Sequence, residues 1–398
     1  MGTIFLNRFY WPEEPATAQL LTDLAEGLAA DGENVTVITS HPGHSAVPRD
    51  EIRHGVRILR VGSTRAVRSG LLGKTMDFAT FFFGALWRLI LSAQRGDTVV
   101  ALTDPPLIGI GAWLVGALRG AHVFHWVQDI YPELAIELAG QRWLRIVRPW
   151  RNLAWRRAAG CVTLGSDMAA VLTLAGVPAG RIHLVPNWAP IALATPTGDA
   201  MAALRAEWGL VGKFVVAYSG NLGRVHDLSP VLAVASSLRD NPEIVFVFIG
   251  SGAQRDALQA EARALGLGNV HFRPPQPRAV LATSLAMADV HLVTIRAGCE
   301  RYVFPSKLYG IAAIGRPVIF IGPRDCEVAR LVVNREFGHA FDRDDSAAIA
   351  TTLRSLAINQ HACTVLSAAA IRFAGANGGA TAAVSRWRSI LRSAACAC

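Results

Sequence analysis

The alternation of short apolar segments with helical ones, repeated in both halves of the chain, constrains the fold more than any other feature. In the first half, an apolar segment at 3–6 precedes a helical periodicity over 16–30, and a second apolar segment follows at 35–39. A strand, a helix and a strand joined by short links form a βαβ unit, so we expect parallel pairing. Further apolar segments predict strands at 56–61, 98–102, 123–127 and 160–164.

The pattern starts again after a stretch at 189–199 that is rich in Pro, Ala and Thr, as a linker would be. Because 398 residues exceed one ordinary core, we predict two doubly wound, Rossmann-like α/β domains over 1–190 and 191–380. Residues 381–398 would form a helix and tail that could pack back on the first domain. Ligands of such sheets bind beyond the carboxyl ends of the strands, which predicts a site in a cleft between the domains. Strands of the second half are predicted at 214–219, 244–249, 270–272, 290–294 and 318–321.

Composition and charge narrow the class of protein. Hydrophobic residues make up 52% of the chain, yet no apolar run reaches the roughly 18 residues that a membrane-spanning helix needs. The net charge of +9 predicts an anionic partner, either a phosphorylated substrate or an anionic lipid surface. A nucleic acid is not expected, because the chain has no lysine-rich block and no recognition motif. The absence of a signal-peptide pattern and the six scattered cysteines favour a cytoplasmic protein.

The apolar helical segment 71–91 has two interpretations. It is interrupted by Lys74, Asp77 and Arg88, so it is either a buried helix under the sheet or a helix whose aromatic face contacts lipid. The arginines and tryptophans of 142–157 would complete an interfacial belt, or they form a solvated helix face.

Two segments of the second half suit a phosphate group. Ser306 is predicted to cap a helix that begins with Lys307, and a helix N-terminus favours an anion. A lysine in the first turn opposes the macrodipole, which is expected where a bound anion offsets it; the alternative is an incidental surface lysine. The run Gly220, Asn221, Leu222, Gly223 and Arg224 lies between a strand and a helix, where glycines let the backbone approach a diphosphate, or it is a plain tight turn. Arg224 is the better anion ligand of this run, and His226 is secondary.

Asp129 is the candidate for work on an acceptor hydroxyl, because it follows a buried strand directly. Asp104 precedes two prolines and is better explained as a turn former. His41, His44 and His125 are alternatives that fit structural roles better. No metal site is predicted, because the sequence has no Asp-x-Asp pair and no grouping of His and Cys.

Taken together, seven motifs resemble the two-domain (GT-B) glycosyltransferases of family 4, in particular the bacterial O-antigen and exopolysaccharide enzymes. They are Phe9-Tyr-Trp-Pro-Glu13, Asp31-Gly-Glu-Asn-Val-Thr-Val-Ile-Thr39, Thr103-Asp-Pro-Pro106, Val127-Gln-Asp-Ile-Tyr-Pro-Glu133, Val185-Pro-Asn-Trp188, Tyr218-Ser-Gly-Asn-Leu-Gly-Arg224 and Phe304-Pro-Ser-Lys-Leu-Tyr-Gly310. The resemblance implies sugar transfer from a nucleotide diphosphate sugar with retention at the anomeric carbon and without a metal. Arg224, Lys307 and the helix at Ser306 would stabilise the departing diphosphate.

The sequence departs from this family's pattern at its paired glutamates, which should fall near Tyr302 and Gly310. Glu300 is close but out of register. Because the second glutamate usually holds the donor ribose, we expect ribose recognition to rest on Glu327, which follows the next strand.

The resulting expectation is a retaining, hexosyltransferase-type enzyme without a cofactor beyond its donor substrate. Its acceptor would be a saccharide linked to polyprenyl diphosphate, and the enzyme would be peripheral on the inner face of the bacterial cytoplasmic membrane, contributing to surface polysaccharide biosynthesis. The alternatives are a nucleotide-sugar epimerase of the same fold and an inactive binding partner of a membrane assembly.

Overall fold

The described residues of the computed structural model are 1–43, 47–62, 71–190 and 196–395, without the side chains of 71–75 and 394–395. They form two compact units. The first unit comprises the residues up to Asn187, the short segment Tyr302–Phe304 and the residues from Ala380 onward. The second unit comprises the remaining residues of 188–301 and 305–379. His44, residues 191–195 of the predicted linker and the side chain of Lys74 lie outside this description.

The first unit is built on an eight-stranded sheet. Its strands are β1 (Thr3–Leu6), β2 (Val35–Ser40), β3 (Asp50–Arg53), β4 (Val56–Val61), β5 (Thr98–Ala101), β6 (His122–Val127), β7 (Gly160–Thr163) and β8 (Ile182–Leu184). Its helices are α1 (Ala16–Ala30), α2 (Leu71–Ser92), α3 (Ile108–Arg119), α4 (Glu133–Ala139), α5 (Arg148–Arg157) and α6 (Ser166–Leu174). The strand order is β3-β4-β2-β1-β5-β6-β7-β8, and β3 alone among these described strands runs antiparallel to its neighbour.

Helix α2 has one face buried on the sheet, as the first interpretation predicts, and one face exposed. Phe81, Ala85 and Leu89 are fully buried and belong to a core cluster with residues of β1, β2, β4 and β5. Phe83 and Trp87 lie on the other side of the helix and are exposed. The helix therefore packs on the sheet and also presents aromatic side chains outward.

The second unit is built on a six-stranded parallel sheet. Its strands are β9 (Phe214–Ser219), β10 (Ile244–Ile249), β11 (Val270–Arg273), β12 (Val290–Thr294), β13 (Val318–Ile321) and β14 (Gly338–Phe341). Its helices are α7 (Gly198–Glu207), α8 (Ser229–Ser237), α9 (Arg255–Ala264), α10 (Leu281–Ala286), α11 (Lys307–Ala313), α12 (Glu327–Asn334), α13 (Ser346–Ile358) and α14 (Gln360–Asn377). The order β11-β10-β9-β12-β13-β14 is that of a Rossmann fold, and it reverses direction between β9 and β12.

The point of reversal is also where the sheet is least continuous. β9 pairs with β10 along all six residues, but with β12 at Val216 and Ala217 alone. The carboxyl ends of β9 and β12 are therefore free of each other, which leaves room for side chains and a ligand at the sheet edge.

The last helix, α15 (Gly379–Ala395), packs on the first unit. Trp387 is fully buried against Trp126 of β6, with the ring centroids 4.9 Å apart. Val384 lies so close to Gly27 of α1 that a Cβ atom at Gly27 would be 2.7 Å from a Val384 methyl group. Arg392 adds an ion pair with Glu33 at 2.8 Å.

Candidate functional site

A buried lysine lies at the carboxyl ends of β9 and β12. Lys307, the first residue of α11, places its Nζ 3.5 Å from the ring centroid of Tyr218, the fifth residue of β9. This Nζ is buried and has no hydrogen-bonding partner among the described residues. Burial lowers the pKa of Lys307 well below its ordinary value of 10.5. An anion at this point would pair with the ammonium group and favour its charged form.

His226 places an uncharged ring near Lys307. Its Nδ1 lies 2.6 Å from the carbonyl oxygen of Thr294, so Nδ1 carries the proton and donates it to this oxygen. Burial, and then the charge of Lys307, lower the pKa of His226 to about 3. The imidazole is therefore neutral at physiological pH and supplies no negative charge that would pair with Lys307 in place of an anion.

Glycines make the close approach to Lys307 possible. Gly220 has φ +129°, and a Cβ atom there would lie 3.3 Å from Nζ of Lys307. Gly250, which follows β10, packs so tightly on this loop that its Cβ would be 1.9 Å from the carbonyl oxygen of Gly220. Leu222 donates its N–H to the carbonyl oxygen of Ser251 at 2.8 Å, which ties the two loops together.

The other residues predicted to bind the donor lie at the same edge of the sheet. Arg224 and Asn221 are exposed on the loop after β9, and Gly223 is half-buried there. Glu327 begins α12 after β13 and lies close enough to Tyr309 that, after burial, its charge raises the pKa of this tyrosine. All of these residues follow strands of the same sheet at its carboxyl edge.

The prediction that the Ser306 side chain caps α11 is wrong. Ser306 has φ −56° and ψ −25°, and its side chain accepts no capping hydrogen bond. A capping side chain needs an extended backbone to reach the following N–H groups, and this backbone is already helical. Ser306 nonetheless lies directly before Lys307, and Gly315 follows the end of α11 with φ +67°.

In the first unit, Asp129 lines a cavity beyond the carboxyl ends of β5 and β6. Thr103, His125, Tyr131 and Arg151 also line this cavity. Burial, and then the charge of Asp104, raise the pKa of Asp129 to about 7. The backbone of Asp129 is fixed on two sides, by a hydrogen bond from its N–H to Thr103 Oγ1 at 3.1 Å and by an isolated bridge to Val303. Asp129 can therefore change its protonation state near neutral pH at a fixed position.

A buried ion pair holds the loop that carries Asp129. Arg151 donates to both carboxylate oxygens of Glu133, at 3.0 and 2.8 Å, and to the carbonyl oxygen of Tyr131 at 2.8 Å. Its guanidinium also stacks on Trp155, 3.8 Å from the ring centroid. Burial lowers the pKa of His125, on the same cavity, to about 4, so this ring is neutral as well.

Sequence reasoning missed Arg8, which follows β1. Its Nε lies 3.1 Å from Asp104 Oδ1, and its Nη1 lies 3.5 Å from Asp77 of α2. Its guanidinium lies between the rings of Phe9 and Phe78, at 4.4 Å from each centroid. Its position in the loop just beyond the first strand was the available signal, because the loops at the carboxyl ends of such strands carry functional groups.

No described helix is both long and apolar enough to cross a membrane. No three His, Cys, Asp or Glu side chains of the described chain come together as metal ligands would.

Comparisons with known proteins fit this arrangement. Residues 17–188 match the family model described as a glycosyl transferase 4-like domain, and residues 201–373 match the model of glycosyl transferases group 1. WcaI of Escherichia coli K12, named for a glycosyl transferase of colanic acid biosynthesis, is 26% identical over 81% of this chain and 83% of its own length. WbjE of Pseudomonas aeruginosa, named as a glycosyltransferase, is 28% identical over 70% of each chain.

Two solved structures share the fold. HepE of Anabaena, crystallised with UDP, aligns over 99% of this chain and 100% of its own with a TM-score of 0.75 and 17% identity. Sucrose-phosphate synthase of Thermosynechococcus elongatus aligns over 100% of both chains with a TM-score of 0.79 and 17% identity.

Proposed function

Because the chain is a glycosyltransferase with the GT-B fold, we propose that it moves a sugar from a nucleotide diphosphate sugar to a lipid-linked saccharide. The names of its relatives support a place in bacterial surface polysaccharide biosynthesis, since WcaI is named for colanic acid. Structures of HepE with UDP and with UDP-glucose support a nucleotide sugar as the donor. The acceptor would be an oligosaccharide on polyprenyl diphosphate, and the enzyme would lie peripherally on the inner face of the cytoplasmic membrane.

The single observation that carries the proposal is the buried Nζ of Lys307 at the carboxyl edge of the second sheet, which has no hydrogen-bonding partner in the described part of the chain. When the bond between sugar and diphosphate breaks, negative charge grows on the diphosphate oxygen. An ammonium group already stripped of water stabilises this charge without reorganising solvent, which makes it a strong contributor. Arg224, exposed on the neighbouring loop, supplies a planar fork for two phosphate oxygens.

Asp129 is proposed to act on the acceptor. Its carboxylate would accept a hydrogen bond from the attacking hydroxyl and orient it. The hydroxyl would attack from the face that the diphosphate leaves, so the anomeric configuration is retained. Diphosphate stabilisation in this scheme comes from protein cations, so we propose that the reaction needs neither a metal nor a cofactor.

Release of nucleoside diphosphate from a panel of donor sugars tests this proposal. Lys307→Ala and Arg224→Ala are each expected to lower turnover by roughly ten- to a thousand-fold, a few kcal/mol of lost charge stabilisation. Lys213→Ala is the matched control, because Lys213 belongs to the same unit but pairs with Glu243 at 3.7 Å. Normal rates in both variants would exclude the diphosphate role.

Three further measurements test the retention of configuration, the independence from metal and the identity of the donor base. The NMR coupling of the new anomeric proton reports retention or inversion. Unchanged rates in excess EDTA support the metal-free reaction, whereas loss of activity that is restored by Mg²⁺ contradicts it. A thermal-shift panel of UDP, GDP and ADP identifies the base, because a ligand stabilises the fold in proportion to the logarithm of its concentration over its Kd.

A further inference from the structure

Exposed aromatic side chains are confined to one region of the first unit. The described chain exposes four of its Phe and Trp side chains, Phe83, Trp87, Trp143 and Trp150, and buries or half-buries the rest. Their exposed fractions are between 62% and 71%. Single exposed apolar residues are ordinary on protein surfaces, but large aromatic ones gathered on neighbouring helices are not.

These aromatics extend into three apolar stripes at helical spacing. Leu91 continues the stripe of Phe83 and Trp87 on α2, and Leu114 and Leu118 form a stripe on α3. The third stripe comprises Trp143 and Ile146, on the short 3₁₀ helix before α5, and Trp150 on α5 itself. α3 packs against both α2 and α5, so the three stripes lie on consecutive neighbouring helices. We call them together the aromatic face.

Most charged side chains on the helices of the aromatic face are positive. The segment 142–157 contains six arginines and no Asp or Glu, and α3 contains no acidic residue. The one carboxylate of α2, Asp77, is buried and paired with Arg8. Arg142, Arg145, Arg156 and Arg157 are exposed.

We infer that the aromatic face is a docking surface for an anionic lipid bilayer, which its aromatics enter at headgroup depth while its arginines contact lipid phosphates. Trp is favoured at the boundary between hydrocarbon and water, and an arginine near an anionic surface adds attraction that falls with salt. A second copy of this chain fits less well, because two faces of the same positive charge would repel each other. The inference rests on the proposed lipid-linked acceptor, which would bring the enzyme to a bilayer.

Helix α2 also connects this face to the cavity of Asp129. While Phe83 and Trp87 point outward, Asp77 and Phe78 of the same helix hold the guanidinium of Arg8, which in turn pairs with Asp104. Asp104 is the charge that acts on the pKa of Asp129. A bilayer on the aromatic face would therefore lie against the helix that supports the proposed acceptor residues.

Flotation with vesicles, in the absence of any sugar donor, tests the surface separately from the chemistry. The full chain is expected to float with vesicles in which about one lipid in three is phosphatidylglycerol. It should remain unbound with pure phosphatidylcholine vesicles or at high salt. Phe83→Ser with Trp87→Ser, and separately Trp150→Ser, should weaken binding by about tenfold for each aromatic removed. Arg142→Gln with Arg145→Gln should weaken it by about fivefold for each arginine.

Matched controls lie outside the aromatic face. Leu174→Ser on α6, where Leu174 is 83% exposed, and Arg263→Gln on α9 should leave vesicle binding unchanged. Donor turnover without vesicles should be unchanged in every variant, which shows that each one folds.

Two outcomes would overturn the inference while leaving sugar transfer intact. One is a wild-type protein that turns over donor but never floats. The other is a dimer in sedimentation that Trp87→Ser converts to a monomer, which would assign the face to a second copy. Loss of turnover in the Lys307 and Arg224 assay alone would instead count against the proposed chemistry.

Discussion

Replacing Lys307 with Met is expected to stabilise the second unit and, at the same time, to remove most of the donor turnover. The two effects have one cause, because the Nζ of Lys307 is buried without a hydrogen-bonding partner among the described residues. Such a group costs folding free energy in the absence of ligand and stabilises charge when the diphosphate departs. Met fills nearly the same volume and carries no group that needs solvation.

The magnitude follows from two opposing contributions. An unsatisfied buried polar group costs about 1–3 kcal/mol, and the contact with the Tyr218 ring returns about 1 kcal/mol when the amine is charged. The net gain in Lys307→Met is therefore about 1 kcal/mol, which raises Tm by about 2–4 °C for a unit of this size. Turnover should fall by roughly a hundred- to a thousand-fold, as expected when a preorganised charge is removed.

The pH dependence gives an independent check with a definite sign. Burial lowers the pKa of Lys307 in the folded state, so the unfolded state binds more protons below the lysine's ordinary pKa of 10.5. The free-energy cost of burying this lysine is therefore largest at low pH. This cost decreases as pH rises from the lowered pKa towards 10.5. Lys307→Met has no such cost, so its advantage over the wild type should shrink between pH 7 and 10.

Thermal denaturation of the free enzyme across this pH range is the assay, with Lys213→Met as the control. Lys213 is partly exposed and paired with Glu243, so its replacement should leave Tm within about 1 °C and turnover unchanged. A Lys307→Met variant that loses more than about 1 kcal/mol of stability, or that keeps wild-type turnover, would refute the reasoning from burial.

Three other predictions concern separate contacts. Asp129→Asn should lower transfer to acceptor by roughly ten- to a hundred-fold while sparing donor hydrolysis. Its pH–rate profile should lack the decline expected for the wild type below about pH 7, where Asp129 becomes protonated. Gly220→Ala should weaken UDP binding by about tenfold in calorimetry, because φ +129° is strained for Ala, whereas Gly268→Ala, with open space around it, should not. Arg151→Met should destabilise the first unit by about 3 kcal/mol in urea denaturation, because Glu133 stays buried without its main partner; an unchanged midpoint would contradict this.

The parallel organisation could be predicted because strands buried on both faces are read as continuous apolar runs. β1, β9 and β10 were predicted at their observed bounds for this reason. The strands that the sequence did not reveal lie at sheet edges. β3 alternates exposed and half-buried residues, and β14 reads Gly-His-Ala-Phe, so neither forms an apolar run.

At the candidate site, the sequence could place residues on strand ends but could not bring them together. The position of Lys307 after β12 and of Gly220 after β9 follows from local pattern, whereas the Tyr218 ring beneath Nζ depends on how the two strands separate. Likewise, the sequence could not show that Gly250 has no room for a side chain, because the atom it would meet belongs to Gly220, thirty residues earlier. The prediction for Ser306 failed because residue type favours a cap, but only backbone conformation decides whether one forms.

Position 307 holds a lysine and not an arginine, and the two side chains behave differently when they are buried. The sequence has three lysines, Lys74, Lys213 and Lys307, among 39 basic residues, so arginine is its ordinary cation. A guanidinium keeps its charge when buried and needs partners for five donors, while an amine can lose its proton and stay unpaired. Gly220 lies against this amine, since a Cβ atom there would be 3.3 Å from Nζ. The site therefore combines a compact amine that is buried with an exposed arginine, Arg224.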